Sequence, residues 1–285
     1  MSSPGSHSDA PSLDPDVRVS GAEPTSPVAL VVAHPGHELF AFGWLLRLRP
    51  EVFVVTDGSG RDAAPRIEAT GRLLETGLGT RASVFGRWTD RDLYEALVEG
   101  SFEPFLGLRD ELVEAWCREG TRTVICDAYE RCYLMHDVVQ VIVSSAVAET
   151  QRRGREIVWL EMPIYLGPRD ERPGNPVPAA SLTLTDELLE RKIDAARTYD
   201  SAVVRDEAEV FLRERGAEGF RTEQLLQAIH RSPSGFREEP KPSWETHGEQ
   251  IQEQGVYDRV IRLHQHFVPL ASALDLAGPR KPVTD

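Results

Sequence analysis

Apolar residues occur along this chain in short unbroken runs, separated by longer stretches in which they recur at helical spacing. Val28–Ala33, Val52–Val55, Ala82–Phe85, Thr123–Cys126 and Ile157–Leu160 have the length and composition of strands covered on both faces. Between them, Glu38–Leu48 sets Leu39, Phe40, Phe42, Leu45 and Leu46 at helical spacing and ends before Pro50. Ala64–Thr76 reads as a helix stopped by Gly77, and Phe105–Arg118 as one stopped by Gly120. Glycine at such a position takes the left-handed turn that ends a helix. Asp137–Arg152 is the next helical stretch. Strand and helix alternate in this way through about residue 165. That order predicts a Rossmann-like α/β fold, a parallel sheet flanked by helices.

The pattern loosens after residue 165. Residues 169–178 are rich in Pro and Gly and read as a loop. Thr185–Ser201 reads as a helix, with Thr185 as N-cap and acids in its first turn. Glu207–Arg215 and Thr222–His230 suggest further helices, Ser232–Pro242 a Pro-rich excursion, and Val256–Phe267 a last helix ending before Pro269. The expected organisation is one domain over residues 27–285. Its sheet core spans 27–165, and a helical and irregular C-terminal extension (166–285) packs on it as a wall. Residues 1–26, mostly Ser, Pro, Gly and Asp, are expected to be disordered.

Composition narrows the partners. The formal net charge is −14, so the broad basic surface that nucleic acid or an anionic membrane attracts is not expected. No apolar run reaches the ~18 residues of a membrane span, and the N-terminus lacks a basic start and apolar core of a secretory signal. Three cysteines, Cys117, Cys126 and Cys132, are too few and irregular for a disulfide framework, which points to a reduced, cytoplasmic protein. Three lysines against 29 arginines hint at a GC-rich bacterial genome. Nothing in the sequence bears on oligomeric state, and the expected partner is a small-molecule substrate.

The candidate chemistry sits where the strands end. In open α/β sheets, ligands bind beyond the carboxyl ends of the strands. His34 and His37 follow the first strand, Asp57 the second, and Asp127 and Glu130 the fourth, with His136 in the same connection. Three imidazoles converging there suit zinc with open coordination, and also iron, nickel or copper. A histidine after a strand can equally be a helix cap.

Four separated stretches resemble one family. Ala33-His-Pro-Gly-His-Glu38 resembles the AHPDDE motif of the LmbE-like (PIG-L) N-deacetylases, zinc enzymes that remove acetyl groups from amino sugars and related amides. Val54–Ser59 resembles that family's second strand and loop. His136 falls where the family carries the last His of an H-P-D-H element. Leu189–Ser201 is similar to its K-x-x-A-x-x-x-Y-x-S helix. The resemblance covers roughly residues 28–201. It implies a metal-dependent N-deacetylase acting on an N-acylated amino sugar, a glycoconjugate or a related small amide, with His34, His37 and His136 as ligands to zinc or another divalent transition metal.

The departures bear on mechanism. The position of the family's base is Gly36, which moves no proton; Tyr133 and Met135 replace the earlier His and the Asp of H-P-D-H. Three neutral imidazoles would leave zinc its full charge and favour ionisation of its water near neutral pH. Glu130 and Asp127 are candidate replacement bases, with loop acid or N-cap as the alternative. Tyr133 is a candidate oxyanion donor or a packed aromatic. Glu38 is expected to orient a ligand imidazole or to serve as a first-turn acid. Asp57 is expected to accept from His34, to touch substrate, or to shape the turn. Arg61 is a candidate for a substrate carboxylate or phosphate. A second reading keeps the scaffold and its three-histidine metal site but gives it a binding or non-hydrolytic role in a biosynthetic pathway.

Overall fold

Successive apolar runs become neighbouring strands of one sheet in the computed structural model, which describes residues 17–60, 65–165 and 177–276. After an N-terminal strand β1 (Arg18–Gly21), these are β2 (Val28–Val32), β3 (Glu51–Thr56), β4 (Thr80–Trp88), β5 (Thr123–Asp127) and β6 (Val158–Met162). They are followed by β7 (Pro178–Thr183) and β8 (Thr222–Gln227). Among the described residues the order is β1-β7-β8-β6-β5-β2-β3-β4. The segment β4-β3-β2-β5-β6 is parallel throughout, whereas β8, β7 and β1 add on antiparallel.

Strand alternation divides the core into two layers. Ala29, Val31, Phe53 and Val55 point to one side, where they meet α4 (Glu103–Glu119) and α5 (Leu134–Arg152). Leu30, Val32, Val52 and Val54 point to the other, where α1 (Phe42–Leu48) and α6 (Asp186–Arg197) cover them. Side chains on successive strand residues face opposite ways, so continuous apolar runs are what a sheet covered on both faces requires.

The five expected strands do form a parallel core, and the strands that were not expected make the sheet as a whole mixed. Other expectations need correction. Thr222–His230, expected as a helix, supplies β8, whose backbone pairs with both β6 and β7. A short apolar run does not distinguish strand from helix by spacing, and here sheet partners on both sides decide it. Arg18–Gly21, inside the tail expected to be disordered, pairs with β7; ladder hydrogen bonds to an edge leave no compositional trace. Helix α2 (Ile67–Leu73) follows β3, the connection after β4 also carries α3 (Asp90–Glu99), and residues from Val256 do not form one helix. Instead a wide turn at Leu263–Phe267 leads into a helix over Val268–Leu276. Pro269 lies in its first turn, where a missing N–H is tolerated.

The second layer is tied together by one buried ion pair. Lys192 Nζ on α6 lies 2.7 Å from Glu223 Oε1 on β8, and both side chains are 2% exposed. Glu223 also accepts from the backbone N–H groups of Gly43 and Trp44 at the start of α1. Lys192 additionally donates to the carbonyls of Phe40 and Phe220. Removing one member of such a pair leaves a buried charge uncompensated. Lys192→Met is therefore expected to destabilise the protein by about 3–5 kcal/mol, read as a lowered midpoint in urea unfolding.

Candidate metal centre

The centre is built where β2, β3 and β5 end. β2 runs out at Val32 and the chain turns through Ala33-His34-Pro35-Gly36 before a tight helical turn, His37–Ala41. Gly36 has φ of 105°, a left-handed conformation that favours glycine. The two histidines on either side of this turn therefore face the same crevice. β5 ends in Asp127, and His136 stands in the first turn of α5.

The three imidazoles meet. Ring centroids lie 5.2 Å apart for His34 and His37, 5.9 Å for His34 and His136, and 4.5 Å for His37 and His136. The tightest set of donor atoms differs from the expected triad: one each from His37, Asp127 and His136 fall within 4.8 Å of one another, and all three residues are buried. Asp127, read from the sequence as a base, thus belongs to the donor cluster. Its Oδ2 accepts from the Ala33 N–H at 2.7 Å and lies 3.0 Å from His37 Nδ1. Its Oδ1 and His136 Nδ1 are buried without a hydrogen-bond partner among the described residues.

Electrostatics differ between the two buried imidazoles. Burial, then the nearby rings of His37 and His34, hold His136 well below the usual imidazole value, so it is neutral and keeps a lone pair for a ligand. Burial pushes His37 the same way, but the charge and hydrogen bond of Asp127 outweigh it and leave its pKa raised. Unpaired buried polar atoms are costly in a dry interior. Two imidazoles and a carboxylate, with an unspent acceptor atom on His136 and on Asp127, form a donor set that fits a divalent transition metal.

His34 is held from the side. Its Nδ1 lies 2.8 Å from Thr56 Oγ1 and 2.9 Å from Asp90 Oδ1. Thr56 donates its own proton to the Ala33 carbonyl, so its oxygen accepts from Nδ1–H, which leaves Nε2 with the lone pair. Asp90 also takes the Gly60 N–H at 2.7 Å. Burial works against its charge, but the bond to His34 and its other contacts bring its pKa down to about 2. Asp90 and Thr56 carried no role in the sequence reading. The signal for Asp90 was present: Thr89-Asp-Arg-Asp92 forms a capping box at the end of β4, which marks a helix start beside the crevice.

The remaining candidates fall in other places. Glu38, fully buried, does not meet an imidazole; it accepts from the Gly36 N–H at 2.7 Å and from the Tyr199 hydroxyl at 2.8 Å, so it braces the turn. Glu130 accepts from the N–H groups of Ile164 and Tyr165 and stands 4.0 Å from His136 Nδ1, which makes it a brace of the loop after β6. Asp57 accepts from Ser59 N–H as a turn residue. Arg61 lies outside the described residues. Tyr133, half exposed, stacks on Tyr165 at 4.3 Å and on His136 at 5.3 Å; burial, then the charge of Glu207, hold its hydroxyl above the ordinary value, so it stays protonated at neutral pH.

The Gly36 position is closed as well as uncharged. A Cβ there would come within 2.8 Å of Val204 Cγ2, on α7 (Ala202–Arg215). Gly36→Ala meets both this contact and the left-handed φ. It is expected to cost about 1–3 kcal/mol, measured as a shift of the chemical unfolding midpoint.

No family model and no curated protein matches the chain. Similar solved structures include the A40926 pseudoaglycone deacetylase Dbv21, at 12% identity over 71% of this chain and 98% of that one, with a TM-score of 0.47. A triple mutant of the deacetylase Orf2 of teicoplanin biosynthesis aligns at 15% identity over 72% and 98%, TM-score 0.46. The zinc-inhibited form of teicoplanin deacetylase Orf2 aligns at 11% over 70% and 97%, TM-score 0.42. At this level of likeness, function is a matter for the side chains of the site.

Proposed function

We propose that the chain is a metal-dependent amide hydrolase of the N-deacetylase type, acting on an N-acylated amino sugar or a related glycoconjugate. The observation that carries this reading is the buried cluster of His37, Asp127 and His136, with donor atoms within 4.8 Å and unsatisfied acceptors on two of them. These residues would hold the cation, with His34 presenting Nε2 beside it. A bound divalent ion supplies Lewis acidity at an amide carbonyl and activates water for attack.

The chain's own groups divide the remaining work. Thr56 and Asp90 fix the tautomer and orientation of His34, and Asp127 does the same for His37. Glu38 holds the Gly36 turn from beneath. Tyr133 carries a protonated hydroxyl on a half-exposed ring beside His136, suited to donate to an oxygen on which negative charge develops. The three cysteines are free, which suits a reducing compartment such as the cytoplasm. No described helix is long and apolar enough to cross a membrane.

One observation favours a second reading, a metal-holding scaffold with a binding role: Gly36 carries no carboxylate, and Val204 fills the space one would need. Two measurements separate the readings. Protein purified without added metal is expected to hold about one equivalent of zinc or another transition metal, and to release acetate from N-acetylglucosamine derivatives. Metal with no hydrolysis favours the scaffold, and no metal removes both. His136→Ala is expected to abolish metal retention; a variant that still carries its equivalent excludes His136 from the centre.

A further inference from the structure

A cavity of about 410 Å³ opens between α2 and α6, and none of the candidate metal ligands lines it. Cavities of roughly 300–1,000 Å³ hold small organic molecules. The floor of this one is apolar, formed by Phe42, Ala69, Leu73, Leu78 and Ala195. Gly77, with φ of 92°, turns the chain out of the helical path after α2, and Thr76 and Leu78 on either side of it both line the cavity. Tyr199 lines it too, and its hydroxyl donates to Glu38, the residue that braces the Gly36 turn. The cavity therefore adjoins the support of the metal centre and is separate from its crevice.

The charged residues that line it balance in sign. Arg72 on α2 and Asp200 beyond α6 pair with each other. Arg191 and Asp194 line the cavity as well, both exposed, and among the described residues neither side chain has a hydrogen bond or ion pair. They are three residues apart on α6, so they stand side by side on one helix face, with Cβ atoms about 5–6 Å apart. A guanidinium takes a carboxylate, and a carboxylate takes an ammonium. A cation and an anion at that spacing, each without a partner, match a ligand that carries a carboxylate and an ammonium on one carbon. A ligand with a single charge satisfies one of them and meets the other as a like charge. Thr76 and Thr198 donate their hydroxyl protons to the carbonyls of Leu73 and Asp194, so their oxygens remain free only to accept, which suits the ammonium end.

We propose that the cavity between α2 and α6 is a second binding site, for an α-amino acid with an apolar side chain. Arg191 takes its carboxylate, Asp194 takes its ammonium, and the floor formed by Phe42, Leu73 and Leu78 covers its side chain. Burial of that side chain supplies the affinity, and the two charges select the zwitterion. This assignment goes beyond the hydrolase reading and does not depend on it, because no residue of the cavity belongs to the metal centre.

The test is calorimetric titration of the full chain with L-phenylalanine, phenethylamine and 3-phenylpropionate, three probes that share an apolar body and differ in charge. L-Phenylalanine is expected to bind, and each single-charge probe to bind about tenfold more weakly, the loss of one hydrogen bond between charged groups. Arg191→Ala and Asp194→Ala are each expected to weaken L-phenylalanine by about the same factor. Both side chains are exposed, so neither change endangers the fold. Glu190→Ala, an exposed neighbour on α6 outside the cavity, is expected to match wild type. Three results overturn the assignment: no heat with L-phenylalanine at millimolar concentration, equal affinity for the three probes, or either cavity variant binding as tightly as wild type.

Discussion

The hydrogen bonds of Asp127 are the constraint on which the centre depends. A carboxylate with no solvent exposure is placed at the end of a central strand, where its burial is costly unless it is paired. One oxygen is fully used: it takes the N–H of Ala33, just beyond β2, and faces His37 Nδ1. That oxygen clamps the ends of two parallel strands and sets one imidazole. The other oxygen has no hydrogen-bond partner among the described residues. Other buried side-chain atoms lack a partner as well, but here two of them belong to one cluster of potential ligands. A cation at the same place would give both Asp127 Oδ1 and His136 Nδ1 a partner, and this is why the cluster reads as a metal centre rather than as packed polar side chains.

The surrounding residues act on the geometry rather than on the chemistry. Glu38, Glu130 and Asp90 each spend acceptors on backbone N–H groups of the loops around the site: the turn between the two histidines, the loop after β6 and the loop after β3. A loop beyond a strand end has few internal hydrogen bonds, so carboxylates that bind backbone N–H groups make it rigid. The Lys192–Glu223 pair does comparable work further out, joining α6 and β8 to the N-terminus of α1, the helix that follows the His34–His37 turn. Positioning is thus continuous from the sheet edge to the imidazoles.

The parallel half of the sheet was legible in the sequence because apolar runs such as Val28–Ala33 and Val52–Val55 must be covered on both faces, and only strands satisfy that at their length. The convergence of His34, His37 and His136 was legible for the same reason, since strand ends in an open α/β sheet share one rim. What the sequence concealed is set by long-range contact. Thr222–Gln227 is a strand because β6 and β7 flank it, and Arg18–Gly21 is one because β7 offers an edge. The expected roles of Glu38 and Glu130 followed from residue type and nearness in sequence, yet the Tyr199 hydroxyl on Glu38 and the Ile164 N–H on Glu130 are partners that only the folded chain brings within reach. Asp90 was missed for the opposite reason: it is 56 residues from His34 in numbering and meets it from the end of β4, two strands along the sheet.

Gly36 changes meaning once the fold is known. From the sequence it is an absent side chain, and an absent side chain suggests lost activity. In the structure it is a contact surface: with φ of 105° and Val204 against the space where a Cβ would stand, it allows α7 to lie directly on the turn between two histidines. The glycine and the helix are therefore a matched pair. A side chain at 36 would push α7 away, and α7 elsewhere would leave the turn exposed to water. The feature that appeared to subtract chemistry from the site is the one that lets the neighbouring helix pack on the turn between two of its histidines.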